Sequence, residues 1–316
     1  MELTLASKTS KRLAFFKGKI TPLEEAKVSI TTHALHYGTG IFEGIRGNWN
    51  EKHKTLYIFR LKEHLQRLLQ GSRILMLDLP YSLDELCNIV LNLVWESGYK
   101  EDLYIRPLAY KSDEKIANLK LHELESDFCV VAMPFGNYLE TDALRCCTSS
   151  WRRPDDQSIS PRFKFTGIYI NSILAKTEAV LSGFDEAILM NQEGYVSEGT
   201  GENIFVIRDG NIITPPLTDN VLPGITRDTI MQLAQEELGL TVKEDHISRP
   251  ELYVVDEVFL TGTAAHLSPV VELDNRKIGN GSIGPISRTL RDLYFNVTTG
   301  NNPKYLHWCT PISRPE

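Results

Sequence analysis

Three short stretches carry side chains that do chemistry when brought together. Lys164 lies in Pro161-Arg162-Phe163-Lys164-Phe165-Thr166-Gly167, between two phenylalanines and just ahead of a predicted helix. Partial desolvation there disfavours the ammonium and frees an amine that attacks carbonyls. Local context fits an ordinary lysine as well, since it is one of seventeen. Glu198 stands in Tyr195-Val196-Ser197-Glu198-Gly199-Thr200-Gly201-Glu202-Asn203, between an apolar strand and a glycine turn. A carboxylate so placed can pair with a protonated ring nitrogen, although the stretch also reads as a solvated loop. Leu222-Pro223-Gly224-Ile225-Thr226-Arg227-Asp228 makes a tight turn into a helix whose first N–H groups, with the Thr226 hydroxyl, suit a phosphate. An ordinary capped helix has the same pattern.

Two arginines extend this set. Arg67, in His64-Leu65-Gln66-Arg67-Leu68, is either a phosphate clamp or a surface residue of an amphipathic helix. Arg106, in Tyr104-Ile105-Arg106-Pro107, sits inside an apolar strand, where an arginine calls for an anionic partner on the protein or on a substrate.

Other motifs fail their context. His33 and His36 have no third ligand nearby and read as structural hydrogen-bonders, so no metal is expected. Gly279-Asn280-Gly281-Ser282-Ile283-Gly284 matches a dinucleotide fingerprint in form, but no acidic residue follows about 20 positions on. Gly194-Tyr195-Val196-Ser197 has one residue too many for a serine nucleophile elbow. The net charge of −7 argues against general nucleic-acid binding. Five cysteines without ligand spacing fit reduced thiols in a cytoplasmic protein, with adjacent Cys146 and Cys147 read as buried small residues of a strand. The first residues do not read as a secretory signal, and no run reaches 18 apolar residues, so no membrane span is expected.

The elements that must position these groups mix strands and helices without strict alternation, which favours α+β over a doubly wound sheet. Helices are predicted over Leu61–Leu75, Ser82–Gly98, Ile168–Ser182 and Thr226–Leu238, with a last one from Pro285. Ser82 ahead of Glu85 is a capping-box pattern. Strands are predicted at Leu56–Phe59, Tyr104–Tyr110, Phe128–Met133, Leu144–Ser150, Glu186–Met190, Tyr195–Ser197, Asn203–Arg208, Asn211–Thr214, Glu257–Thr261 and Val270–Leu273. Asp209-Gly210 is a two-residue hairpin signal. Arg152–Pro161 is rich in Pro, Asp and Ser and reads as a mobile loop. The expected organisation is a smaller N-terminal α/β domain over 1–135, a linker over 136–145 and a larger domain of mixed strands over 146–316.

In this order the blocks HALHYGTGIFEGIRG (33–47), FRLKEHLQRL (59–68), YIRP (104–107), FKFTGIYINSILAKTEA (163–179), GYVSEGTGENIFVIRDG (194–210), LPGITRD (222–228) and DEVFLTGTAAHLSPV (256–270) carry a family likeness. The chain resembles the class IV, or fold-type IV, pyridoxal-phosphate aminotransferases, and among them the branched-chain amino-acid aminotransferases. The resemblance runs from about Ala26 to the last helix. It implies a two-domain fold like that of D-amino-acid aminotransferase, pyridoxal 5'-phosphate as cofactor, and at least a homodimer.

By position the resemblance implies that Lys164 forms the Schiff base and then moves the Cα proton, and that Glu198 pairs with the pyridine nitrogen. Arg67 would grip the phosphate, helped by Ile225, Thr226 and Thr263, while Tyr169 approaches the ring oxygen and Leu222 completes the cofactor site. Tyr37, Phe42, Tyr104, Arg106, Tyr138, Thr263 and Ala264 would line the substrate site. The implied reaction passes amino groups from Leu, Ile or Val to 2-oxoglutarate in ping-pong fashion. Phe163, Phe165, Ile168 and His266 depart from the family's usual residues. They leave open a same-fold transaminase of (R)-amines or D-amino acids, or a lyase of the aminodeoxychorismate type.

Overall fold

The computed structural model describes residues 10–136 and 142–313. These form two compact units, one of residues 10–136, 164–167 and 297–313, the other of residues 142–163 and 168–296. The division differs from an unbroken second domain over 146–316. Residues 309–311 pair with Thr55–Phe59, and Lys164–Gly167 joins the first unit by backbone hydrogen bonds. The expected linker over 136–145 already contains the start of the strand Leu144–Arg152.

The first unit is built on an eight-stranded sheet. Its order runs Cys309–Pro311, Thr55–Phe59, Ile45–Asn50, Leu103–Lys111, Ser126–Pro134, Leu13–Phe16, Lys19–Pro22, and Gly40–Phe42 also pairs with Leu103–Lys111. Its two longest helices lie within residues 61–97. Leu83–Ser97 starts on a complete capping box: Glu85 N–H donates to Ser82 Oγ, and Ser82 N–H donates to Glu85 at 2.7 Å. It stops at Gly98, whose φ of +67° suits glycine. Leu61–Ser72 buries Leu61, Leu65 and Leu68, and the same face carries His64 and Arg67 inward. Arg67 is 8% exposed, which removes the surface-arginine reading.

The second unit is built on a nine-stranded mixed sheet. Its order is Val196–Gly199, Glu186–Met190, Leu144–Arg152, His266–Leu273, Glu257–Gly262, Asn203–Arg208, Asn211–Thr214, Val242–Glu244, with Arg276–Lys277 paired to His266–Leu273. Asp209 and Gly210 form the expected hairpin turn, both with positive φ, and Arg208 faces Asn211 across it. One core cluster gathers Leu144, Ile188, Met190, Ile204, Val206, Val258 and Leu260 among others. Helix Tyr169–Leu181 lays Ala175 and Ala179 on Ala187 and Leu189 of the sheet, so small residues allow close approach. Arg152–Pro161 is a strand end and a loop, whose turn is capped by Asp155 accepting from the N–H groups of Gln157 and Ser158.

Among the described residues no helix is long and apolar enough to cross a membrane.

Candidate active site

In the first unit Lys164 is stitched to the strand Gly40–Phe42. Phe42 N–H donates to the Lys164 carbonyl at 3.1 Å, and Thr166 N–H donates to Gly40 at 2.8 Å. Ile41 and Phe165 form an antiparallel bridge, and Thr166 Oγ1 donates to the Gly38 carbonyl at 2.8 Å. Phe165 is a buried bridge residue. Lys164 Nζ lies 5.4 Å from the centre of the Phe42 ring.

Arg106 comes to the same ring. Its guanidinium carbon is 4.3 Å from the centre of Phe42 and 5.1 Å from that of Tyr104, and Nη2 donates to the Tyr104 hydroxyl at 3.1 Å. Among the described residues no carboxylate pairs with Arg106, and its buried Nε has no hydrogen-bond acceptor. The anionic partner that the sequence calls for is not a carboxylate among the described residues.

Arg67 is held by a residue that the motifs above do not single out. Its Nε and Nη2 donate to the two oxygens of Glu43 at 2.7 and 2.8 Å, and His64 Nδ1 lies 2.8 Å from the same carboxylate. Burial alone would push the Glu43 carboxyl up, but Arg67 and His64 outweigh it and bring it down to about 2. Burial also lowers His64, against the pull of Glu43 and with help from Arg67 and Lys164. The signal for Glu43 is that it is the one carboxylate in the otherwise apolar or glycine-rich run Gly40–Ile45.

Tyr37 is exposed, with its ring against His33 and its hydroxyl accepting from Ala117 N–H at 2.9 Å; neither partner is a candidate site residue. His33 bonds Thr39 and the Asn118 carbonyl, and His36 bonds the Ile30 carbonyl. No metal-binding cluster occurs among the described residues. Tyr138 lies outside the described residues.

In the second unit Glu198 is 3% exposed. Asn203 Nδ2 and Leu222 N–H donate to its Oε2 at 3.1 and 3.0 Å, and Arg153 Nη2 lies 2.8 Å from Oε1. Two N–H donors on Oε2 and a guanidinium beside Oε1 thus converge on one buried carboxylate. This is no solvated loop. Arg153, placed in a stretch read as mobile, is 5% exposed and also donates to Ser172 on helix Tyr169–Leu181. Asn203 Nδ2 reaches the Leu222 carbonyl at 2.9 Å, and Ser197 donates to Asn220, so the Glu198 strand is tied to the turn before the next helix.

That helix runs Ile225–Leu238, with Gly224 at its N-cap. A Cβ on Gly224 would overlap Asn203 Oδ1, so only glycine fits beside this network. Ile225 and Thr226 occupy the first helical turn, where N–H groups and the dipole favour an anion. Thr263 and Ala264 form the turn between Glu257–Gly262 and His266–Leu273, which Ser268 Oγ braces by donating to the Ala265 carbonyl at 2.8 Å. His266 holds a φ of +58° and packs on Phe295, 4.8 Å between ring centres. Tyr169 is the first residue of its helix.

Two charge patterns result: in the first unit an amine, a fork-held arginine and an arginine lacking a described carboxylate; in the second a buried carboxylate with an arginine partner, tied to the turn before a helix. The donor chemistry fits pyridoxal phosphate, which needs an anion for its ring nitrogen, donors for its phosphate and an amine for its aldehyde.

Comparison with known proteins agrees with this chemistry. Residues 40–273 match the model of the family described as amino-transferase class IV. A probable branched-chain-amino-acid aminotransferase of Aquifex aeolicus is 52% identical over 95% of this chain and 96% of its own. The branched-chain-amino-acid aminotransferase of Escherichia coli is 38% identical over 95% and 97%. Among solved structures, a branched-chain aminotransferase of Thermoproteus uzoniensis with norvaline superposes at a TM-score of 0.91, with 44% identity, covering 96% of this chain and 99% of that one. The branched-chain amino acid aminotransferase of Thermobaculum terrenum in its PLP-form gives 0.90 at 38% identity, covering 97% and 100%.

Proposed function

Because this chain belongs to the class IV aminotransferases, we propose that it exchanges amino groups between branched-chain L-amino acids and 2-oxoglutarate with pyridoxal 5'-phosphate as cofactor. The observation that carries the reading is the setting of Glu198, a buried carboxylate with two N–H donors on one oxygen and the Arg153 guanidinium 2.8 Å from the other. A carboxylate so held keeps a proton on a ring nitrogen.

When bound, the cofactor supplies an electron sink for negative charge at the substrate's Cα. Lys164 would anchor it, and the same amine, once released, would be the base that takes and returns the proton at the substrate's Cα. Arg67, the N–H groups of Ile225 and Thr226, and the hydroxyls of Thr226 and Thr263 would hold the phosphate. Tyr169 would approach the ring oxygen, and Leu222 supports Glu198 through its N–H. Phe42 and Tyr104 offer apolar surface to a Val or Leu side chain, worth about 1.5–3 kcal/mol on full burial. Arg106 takes the distal carboxylate of 2-oxoglutarate, and the N–H groups of Thr263 and Ala264 take the α-carboxylate. Tyr37 and Tyr138 complete the substrate site in this reading.

The chain also acts as a homodimer or a higher homo-oligomer. Helix Tyr169–Leu181 turns Ile170, Ile173 and Leu181 outward, exposed by 63%, 56% and 84%, which is a face for a second copy. A cytoplasmic setting suits its five free thiols.

The test is a panel on purified holoprotein, following the cofactor's absorption with L-leucine, D-alanine and (R)-1-phenylethylamine. Rapid bleaching by L-leucine and restoration by 2-oxoglutarate are expected. Preference for either of the other two amines would replace this reading with a D-amino-acid or (R)-amine transaminase.

A further inference from the structure

Glu43 lies between the strands Gly40–Phe42 and Ile45–Asn50, with its side chain fully buried. Both of its oxygens engage Arg67, and His64, three residues earlier on the same helix, ties one of them from another side. A two-pronged pair fixes both the plane and the rotation of a guanidinium, which a single contact cannot do. The pair also sums to no net charge. It therefore offers an incoming anion an oriented set of N–H donors more than a Coulombic pull. Leaving Arg67 without its carboxylate would free it to turn in a buried space.

We propose that Glu43, tied by His64, is a positioning residue for the cofactor's phosphate, acting through Arg67. The inference rests on the reading of Arg67 as a phosphate ligand. Neither Glu43 nor His64 touches the cofactor in this scheme. Their part is to hold Arg67 in one orientation before the phosphate arrives, so that little ordering is left to do on binding.

The experiment is equilibrium binding to the unloaded protein, read by fluorescence, of pyridoxal phosphate and of pyridoxal, which lacks the phosphate. Glu43→Gln should weaken pyridoxal phosphate by about tenfold or more, while leaving pyridoxal unchanged. Arg67→Lys should show the same selectivity, and the double variant should bind no more weakly than Arg67→Lys alone. Selective loss in Arg67→Lys without it in Glu43→Gln overturns the inference. Equal loss of both ligands in Glu43→Gln overturns it too, since that marks a general structural role. No selective loss in Arg67→Lys refutes the phosphate-ligand reading beneath it instead. Should Glu43→Gln fail to fold, His64→Gln removes only the second tie and is expected to lose affinity for pyridoxal phosphate alone. An unchanged ratio of the two affinities overturns the inference.

Discussion

Lys164 and Arg106 lie against one ring, with the amine 5.4 Å and the guanidinium carbon 4.3 Å from the centre of Phe42. Each cation gains from the ring's negative face, by roughly 0.5–2 kcal/mol depending on desolvation. Phe42 is itself buried, at the end of the strand to which the Lys164 backbone is bonded. One side chain thus lies against both the amine proposed to anchor the cofactor and the arginine that lacks a described carboxylate.

Arg106→Leu is expected to cost turnover of 2-oxoglutarate on the order of 10²-fold, the scale of losing a charge-assisted pair. Turnover of 4-methyl-2-oxopentanoate should stay within about threefold, since it has no distal carboxylate to lose. Steady-state kcat/KM for the two oxo acids decides the matter, and equal losses contradict the assignment.

Gly224→Ala is expected to disturb the Glu198 network without touching Glu198. The added methyl overlaps Asn203 Oδ1, and Asn203 is the residue that joins Glu198 to the Leu222 carbonyl. Affinity for pyridoxal phosphate should fall by about tenfold, the value of one hydrogen bond to a charged group. Titration of the unloaded variant checks this, and unchanged affinity would show that the loop yields freely.

Acid should undo the Glu43 cluster in a defined window. Its carboxyl is held near 2 in the folded chain against an ordinary 4.5. The stabilisation it brings is complete above the ordinary value and is lost as pH falls from about 4.5 toward 2, on the order of 3 kcal/mol in all. His64 acts with the same sign: its folded value is lowered, so the unfolded chain takes up its proton first as pH falls through about 6.5. Denaturant unfolding across pH should therefore show the gap between wild type and Glu43→Gln narrowing below pH 4.5. A gap independent of pH contradicts the pairing.

Lys111 gives a stability prediction away from the site. Its buried ammonium donates to the carbonyls of Met76 and Leu124 at 2.7 and 2.9 Å and to Ser126 Oγ at 3.1 Å. Lys111→Met strands these acceptors and should cost about 1–3 kcal/mol in denaturant unfolding, with catalysis unaffected at low temperature.

The sequence shows most clearly what is local. The capping box at Ser82, the Asp209-Gly210 hairpin and the strands Glu186–Met190, Asn203–Arg208 and Asn211–Thr214 lie where periodicity and turn chemistry put them. What it hides is long-range. Ile45–Asn50 reads as polar, yet it is a buried strand because partners far along the chain satisfy it: Asn50 Nδ2 donates to the Thr299 carbonyl at 2.7 Å. Leu13–Phe16 and Lys19–Pro22 are too short to show a period, and the return of Cys309–Pro311 to the first sheet has no local signal. Arg67 reads as a candidate by its place in a motif, but Glu43 stands 24 residues away and only the fold joins them. Arg153 is hidden by the loop-like composition around it, and its tie to Glu198 depends on the fold in the same way.

The central claim is that Lys164 is the amine that holds pyridoxal phosphate. Borohydride reduction of the holoprotein, followed by digestion and mass spectrometry, fixes the cofactor to whichever amine carries it. A single phosphopyridoxyl adduct on the peptide containing Lys164, absent in Lys164→Ala, is the expected result. An adduct on another lysine, or an equal yield in Lys164→Ala, would contradict the account.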